Sequence, residues 1–201
     1  MTSKITRRHL MASGMAAALV ALLPRGAFAL TDAGARALVD KVVREINAVI
    51  ASGQSLGSMI GGFEGIFRRY GDVDLIARST LGADANRASP AQLAAYTQAF
   101  RGYIARKYGK RFNEFVGGQI EVVGVSPVKS WHEVQARVKM TGEAPFDVRF
   151  LISDRSGRDL FFDMVIEGIS LRLSERTEIG SMLDRRQGNI DALIADLRQA
   201  G

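Results

Sequence analysis

The apolar pattern of this chain changes period at Gly117-Gly118, and that change constrains the fold more than any other feature. Before the two glycines, apolar residues recur every three or four positions, the spacing of one helix face. After them, they recur every second position, as on one face of a strand. Val134, Ala136, Val138 and Met140 alternate with Gln135, Arg137 and Lys139, and Phe146, Val148, Phe150 and Ile152 repeat the pattern. Strands are therefore predicted over 119–125, 131–140 and 144–153, and the turn Asp154-Arg155-Ser156-Gly157 leads into a fourth. Links this short favour antiparallel pairing with one polar face.

The fourth run carries its own irregularity. Leu160, Phe162, Met164 and Ile166 alternate with Phe161, Asp163, Val165 and Glu167. Past Gly168 the apolar residues are Ile169, Leu171 and Leu173, so their parity has switched. One extra residue flips every later side chain, so the pattern predicts a bulge or bend at Gly168 and a second extended piece beyond it.

The helical half reads in order. Leu38, Val42, Ile46, Val49 and Ile50 define a first helix over 31–52, ended by Gly53. Met59, Ile60, Phe63, Ile66 and Phe67 define a second over 55–70. It holds Gly57, Gly61, Gly62 and Gly65, which suit close backbone packing or room for a ligand. No strand precedes them and no Lys-Ser/Thr pair comes after, so a phosphate loop is a poor reading. A short third helix spans 72–81 between Asp72 as N-cap and Gly82 as C-cap. Asp72 and Asp74 read as helix-start acids rather than metal ligands. Ser89-Pro90-Ala91-Gln92 is a capping box opening a long fourth helix to about Val116. Its aromatic spine is Leu93, Tyr96, Phe100, Tyr103, Ile104, Tyr108, Phe112 and Phe115, with Arg101, Arg106, Lys107, Lys110 and Arg111 on its other faces. Those cations form either a solvated face or a basic surface for an anionic head group, a membrane or an acidic partner. Helix returns over 177–201, with a second start at Asn189. Helices, then a sheet, then helix give an α+β fold with helices packed on a curved antiparallel sheet of about four strands.

The N-terminus reads as a cleaved export signal over 1–29. Lys4, Arg7 and Arg8 precede an apolar run from Met11 to Leu23, and Ala27-Phe28-Ala29 offers a cleavage site. Thr6-Arg7-Arg8-His9-Leu10-Met11 fits a twin-arginine pattern. The apolar run is short for a membrane span, which needs about 20 residues. Residues 30–201 are enough for one domain with its own core. The chain has 27 basic and 21 acidic side chains, but four of the basic ones and none of the acids lie in 1–29. The remaining 23 against 21 leaves +2, which gives nucleic-acid binding little support. With no cysteine, disulfides and thiol chemistry are excluded.

Catalytic and metal motifs are sparse. Beyond residue 29 the only histidine is His132, and no G-x-S-x-G motif occurs. Asp163 and Glu167 would share a face of one straight strand, where two carboxylates support acid–base work if they meet in a cleft. The larger inventory is apolar: Val134, Val138, Phe146, Val148, Phe150, Phe162, Met164 and Ile166 from the sheet, and Ile46, Ile50, Phe63, Phe67, Phe100 and Ile104 from the helices. These side chains either pack solid or leave a cavity between sheet and helices.

Asp163, Glu167, Gly168, Ser170 and Leu171, spaced D-x-x-x-E-G-x-S-L and followed by Arg176, resemble the signature of the MlaC family. These are periplasmic phospholipid-binding proteins, auxiliary components of an ABC transport system. Phe63-x-x-Ile66-Phe67-x-x-Tyr70-x-Asp72, with Ile76-Ala77 and Leu81-Gly82, resembles the family's first helical block. The stretch from Ser89 to Tyr108, with Gln92 and Phe100, resembles its second. Asn86 and Glu175 stand where members often carry aromatic residues, which leaves a hopanoid-associated branch open. The resemblance implies a nuclear-transport-factor-2-like cone whose internal cavity, lined by the apolar inventory above, holds phospholipid acyl chains without any cofactor. It implies a non-enzymatic carrier moving lipid between an outer-membrane lipoprotein–porin complex and an inner-membrane ABC transporter with an MCE-type component. Transient contact with a membrane surface fits that role, and nucleic acid does not. Two other readings stay open. A cone-fold enzyme on a small apolar substrate would place a buried, unpaired Asp163 or Glu167 on the cavity. A ligand-free adaptor would show a solid core with an exposed apolar patch.

Overall fold

The structure is a computed structural model that describes residues 30–111, 118–140 and 142–201. The proposed export signal, Phe112 and Phe115 lie outside the described residues. Six α-helices pack on a five-stranded open antiparallel sheet, with strand order β1-β2-β3-β4-β5 following the sequence. No helix among the described residues is long and apolar enough to cross a membrane.

Helix α1 spans Asp32–Ala51, α2 Leu56–Tyr70, α3 Val73–Leu81 and α4 Pro90–Gly109, with a 3-10 turn at Gly82–Asn86. Their starts follow local chemistry. Thr31, Ser55, Asp72 and Ser89 each accept a bond from a backbone N–H of the first turn, filling a donor that the helix leaves unpaired. Ser89 and Gln92 complete the capping box. Of the four glycines in α2, one makes a close approach: a Cβ on Gly62 would lie 2.9 Å from Val49 Cγ2, so Gly62 lets α1 and α2 touch.

The strands are β1 Gln119–Val128, β2 Trp131–Lys139, β3 Phe146–Ser153, β4 Leu160–Ile166 and β5 Ile169–Ser170. Registers shift between Val122 and Gly124 on β1 and between Leu151 and Ile152 on β3, and such bulges bend strands. The expected second extended piece after Gly168 is only two residues long. Glu167 and Gly168 both have positive φ, 48° and 85°, the combination that a tight hairpin turn demands. Only two residues of β5 return along β4, and helix α5 then runs Leu171–Arg185 from Ser170 as its N-cap. Ser170 Oγ accepts from Leu173 N–H, so the alternation of Ile169, Leu171 and Leu173 runs from strand into helix. Helix α6 spans Ile190–Gln199, with Asn189 capping it.

Helices α4, α5 and α6 are stapled by polar groups. Lys107 Nζ donates to Glu175 Oε1 at 2.7 Å and to Glu178 Oε2 at 2.8 Å, and Tyr108 donates to Glu175 at 2.5 Å. Arg106 donates to the Leu197 and Ala200 carbonyls, and Arg101 to Glu64 at 2.7 Å. Most of the α4 cations thus bind their own fold and do not form a free basic surface.

Candidate functional site

Strand register builds the site. On the face of the sheet toward the core, side chains stand in four cross-strand rungs. The first holds Ile120, Val138 and Phe146. The second holds Val122, Ala136, Val148 and Ile166; the third holds Val125, Val134, Phe150 and Met164. The fourth holds Pro127, His132, Ile152 and Phe161.

The helices cover these rungs unevenly. His132 Nε2 meets Asp32 Oδ1 at 3.0 Å, and Arg36 reaches the Val122 carbonyl. Helix α1 therefore begins over the fourth rung and runs toward the first, packed directly on β1 and β2. Helix α2 returns beside it, Gly62 against Val49, and ends where Phe67 stacks on Phe161 at 6.0 Å. Among the described residues no helix backbone runs closely along β3. Between β3–β4 and α2, short of the backbone contact where α2 ends at Phe161, side chains fill the space and form an apolar wedge.

The wedge has two different ends. At the fourth rung Phe161 meets Phe67 on one side and Phe150 edge-on at 6.1 Å on the other. Backbone crosses there as well: Asp72 N–H donates to the Phe161 carbonyl at 2.8 Å, and Gly71 bridges the same residue. Toward the first rung Val138 is buried, but the apolar side chains around it, from the first two rungs and α1, are only partly covered. Ile46, Ile50, Ile120, Phe146 and Ile166 are half-buried, and Ile169, paired with Ile166, is 62% exposed. This end is an apolar mouth.

Thirteen of the fourteen expected site residues lie in or against the hydrophobic core of the domain, of which the wedge is one part. Phe63, Phe100, Val134, Val138, Val148 and Phe150 are buried in it, and Ile46, Ile50, Phe67, Ile104, Phe146, Met164 and Ile166 pack around it half-buried. Phe162 does not join them. The shift at Leu151/Ile152 pairs Ile152 with Phe161 and Leu151 with Asp163, leaving Phe162 as the bulged residue. Its ring turns to the opposite face and meets Trp131 edge-on at 6.1 Å. Phe161, read from its parity as outward, takes the core position instead, and sequence parity cannot register a bulge whose partner lies on another strand.

The paired-carboxylate reading fails on geometry. Asp163 is buried, but it accepts from Met164 N–H, Arg172 N–H and Ser170 Oγ, and so anchors the start of α5. Glu167 is exposed in the hairpin turn. No cluster of metal-ligating side chains occurs among the described residues.

A family model described as MlaC protein matches residues 36–199. Among solved structures, a phospholipid-binding protein from Ralstonia solanacearum, determined in complex with a phospholipid, superposes with a TM-score of 0.69 at 17% identity. That match covers 82% of this chain and 95% of the other, and at such identity it speaks for the fold.

Proposed function

The chain belongs to the MlaC family, and from that premise we propose that it is a periplasmic lipid carrier that shields the acyl chains of a phospholipid in the wedge between β3–β4 and α2. It is a binding and transport protein, not an enzyme. It takes lipid from, or delivers it to, an outer-membrane lipoprotein–porin complex and an inner-membrane ABC transporter with an MCE-type component, and so supports outer-membrane lipid asymmetry. The export signal over 1–29 would bring it to that compartment, and lysines in place of Arg7 and Arg8 should block export by the twin-arginine route.

The observation that carries the reading is the apolar mouth. Half-buried isoleucines and Phe146 continue without a polar break into an interior of valines and phenylalanines. Burying acyl chains gains about 0.8 kcal/mol per methylene, so roughly 30 methylenes are worth on the order of 20 kcal/mol gross. A bilayer offers nearly the same gain. A carrier must therefore match the bilayer interior, and its direction of transfer must come from its partners. A wedge spanned by side chains suits this, because rotamers can part where backbone hydrogen bonds would not. Release into water is prohibitive, so docking precedes transfer.

Native mass spectrometry of residues 30–201 purified without detergent, followed by organic extraction, tests the proposal. A stoichiometric bound mass that extracts as phospholipid supports it, and a hopanoid would name a different cargo for the same carrier. A chain that purifies free of lipid, and stays so after incubation with phospholipid vesicles, overturns it.

A further inference from the structure

On the outer face of β4, turned away from the wedge, helices α3 and α5 border a groove with two adjoining cavities that share Leu75. The first, about 180 Å³, is walled by Leu75, Phe162 and Trp131 and edged by Arg155 and Arg172. The second, about 370 Å³ and more open, is edged by Arg78 and Arg176. The bulge that expels Phe162 from the core creates the apolar wall of the first cavity. Gly82 clears the second: a Cβ there would lie 3.1 Å from Arg176 Nη2, and its φ is +62°.

Four guanidinium groups along one groove call for counter-charge, and the fold supplies little. Arg172 Nε lies 3.6 Å from Asp163 Oδ2, too far for a hydrogen bond, and Asp163 already accepts three others. Among the described residues, Arg155 donates only to the Ser130 hydroxyl, and Arg78 only to the amide oxygen of Asn86. Arg176 makes no ion pair among the described residues. Asp72, next to Leu75, is occupied by Leu75 N–H and Ser156 Oγ. Two N–H donors on residues of the first cavity, Trp131 Nε1 and Arg172 Nε, are buried and make no hydrogen bond among the described residues. Orphaned buried donors are rare in folded proteins. Neither group can accept a hydrogen bond, so what completes this surface must be an acceptor.

We propose that the α3–α5 groove is an oxyanion site that takes a phosphate group, either free inorganic phosphate or the phosphate of a lipid head group. Guanidinium forks match phosphate oxygens, and the apolar wall around Trp131 strengthens their pull by excluding water. The walled cavity is small beside the several hundred Å³ that an acyl-sized ligand needs, and the second is an open depression that would leave a lipid chain in water, so the site takes a compact anion and not a lipid chain. The site is independent of the wedge and of the carrier reading.

Trp131 is the only tryptophan, so the chain carries a single reporter inside the site. In residues 30–201 labelled with nitrogen-15, the single indole N–H resonance is followed while inorganic phosphate replaces chloride at constant ionic strength. A saturable, phosphate-specific shift is expected. The exposed substitutions Arg155→Gln and Arg176→Gln, made together, should weaken it by about tenfold or more, the loss of charge-assisted hydrogen bonds. Vesicles of phosphatidylcholine with and without phosphatidylglycerol form the second arm. A resonance change that needs the anionic lipid and both arginines assigns the phosphate to a head group, and a response to inorganic phosphate alone assigns it to the free ion. An indole resonance that responds equally to chloride and phosphate, or that titrates unchanged in the double variant, overturns the proposal. Loss of lipid loading in the wedge would leave this reporter untouched.

Discussion

The two ends of the wedge are built from the same residue types and held in different ways. At the closed end, Phe67, Phe150 and Phe161 interlock. Asp72 adds a backbone bond, a helix cap and a bond from Ser156 beside them. At the mouth, Ile46, Ile50, Ile120, Phe146 and Ile166 are half-buried and pack against the core, and Ile169 faces solvent. Apolar contact is therefore not what separates a scaffold from an opening. Directional backbone bonds fix one end, while the other is left to contacts that can be exchanged one for one with methylenes of a ligand.

The largest effect that would break this contrast is a cavity at the closed end. Phe161 is only 6% exposed, and Phe161→Ala should cost about 3–5 kcal/mol of stability. Ile166→Ala, two rungs away and half-buried, should cost about 1–2 kcal/mol, since part of its surface is already in water. Urea denaturation of both variants gives the comparison directly. Equal losses would mean that the mouth is as much scaffold as the closed end.

Alkaline pH probes the scaffold without mutation. Helix α3, which starts at the closed end, is tied to α4 by the hydrogen bond between the Thr80 and Tyr96 hydroxyls at 2.7 Å. Burial drives the Tyr96, Tyr103 and Tyr108 phenols far above their ordinary range. Tyr70 is raised as well, chiefly by its hydrogen bond to Glu45. An acid whose folded pKa is raised holds its proton more tightly when folded. Its stabilising contribution is full below the unfolded value of about 10 and is lost as pH rises beyond it. These four are all the tyrosines of the chain, so tyrosinate absorbance should stay low past pH 10 and then rise together with the loss of helical circular dichroism. Tyrosinate forming near pH 10 in a chain that is still helical would show that the α3–α4 wall is looser than its geometry implies.

Much of this architecture was legible in the sequence because its signals are local. A cap needs only a serine, threonine, aspartate or asparagine a few residues from the donor it satisfies, and Thr31, Ser55, Asp72, Ser89 and Asn189 all mark helix starts. Strands β2 and β3 follow from alternation alone. The rest depends on partners far along the chain. The shift at Leu151/Ile152 exchanges Phe161 and Phe162 between the two faces, and nothing inside the fourth run encodes it. The stretch Leu171-Arg172-Leu173-Ser174 alternates like a strand, yet becomes helix because the Glu167-Gly168 turn ends β4 and Asp163 holds the Arg172 N–H. The α3–α5 groove draws on positions 75 to 176, and of its four arginines only Arg176 stands out in the sequence, as part of the family signature and not as a ligand.

The smallest expected effect compares the same device at the two ends. Asp72 and Ser55 are both N-caps, of α3 and α2. Asp72 is 5% exposed and also accepts from Ser156, whereas Ser55 is exposed on the loop between α1 and α2. A cap replaced by alanine costs about 0.5–2 kcal/mol, with exposed caps at the low end. Asp72→Ala should therefore lose about 2 kcal/mol, because it orphans the Leu75 N–H and the Ser156 hydroxyl in a place that water reaches poorly. Ser55→Ala should lose about 0.5 kcal/mol, because water can replace the hydroxyl at Ser58 N–H. The closed-end substitution should also speed amide exchange at Val73, Asp74 and Leu75, in the first turn of α3, while the other leaves that turn unchanged. If both variants melt together and exchange alike, backbone ties do not distinguish the two ends, and the wedge must open by moving α2 as a body instead of by parting side chains at its mouth.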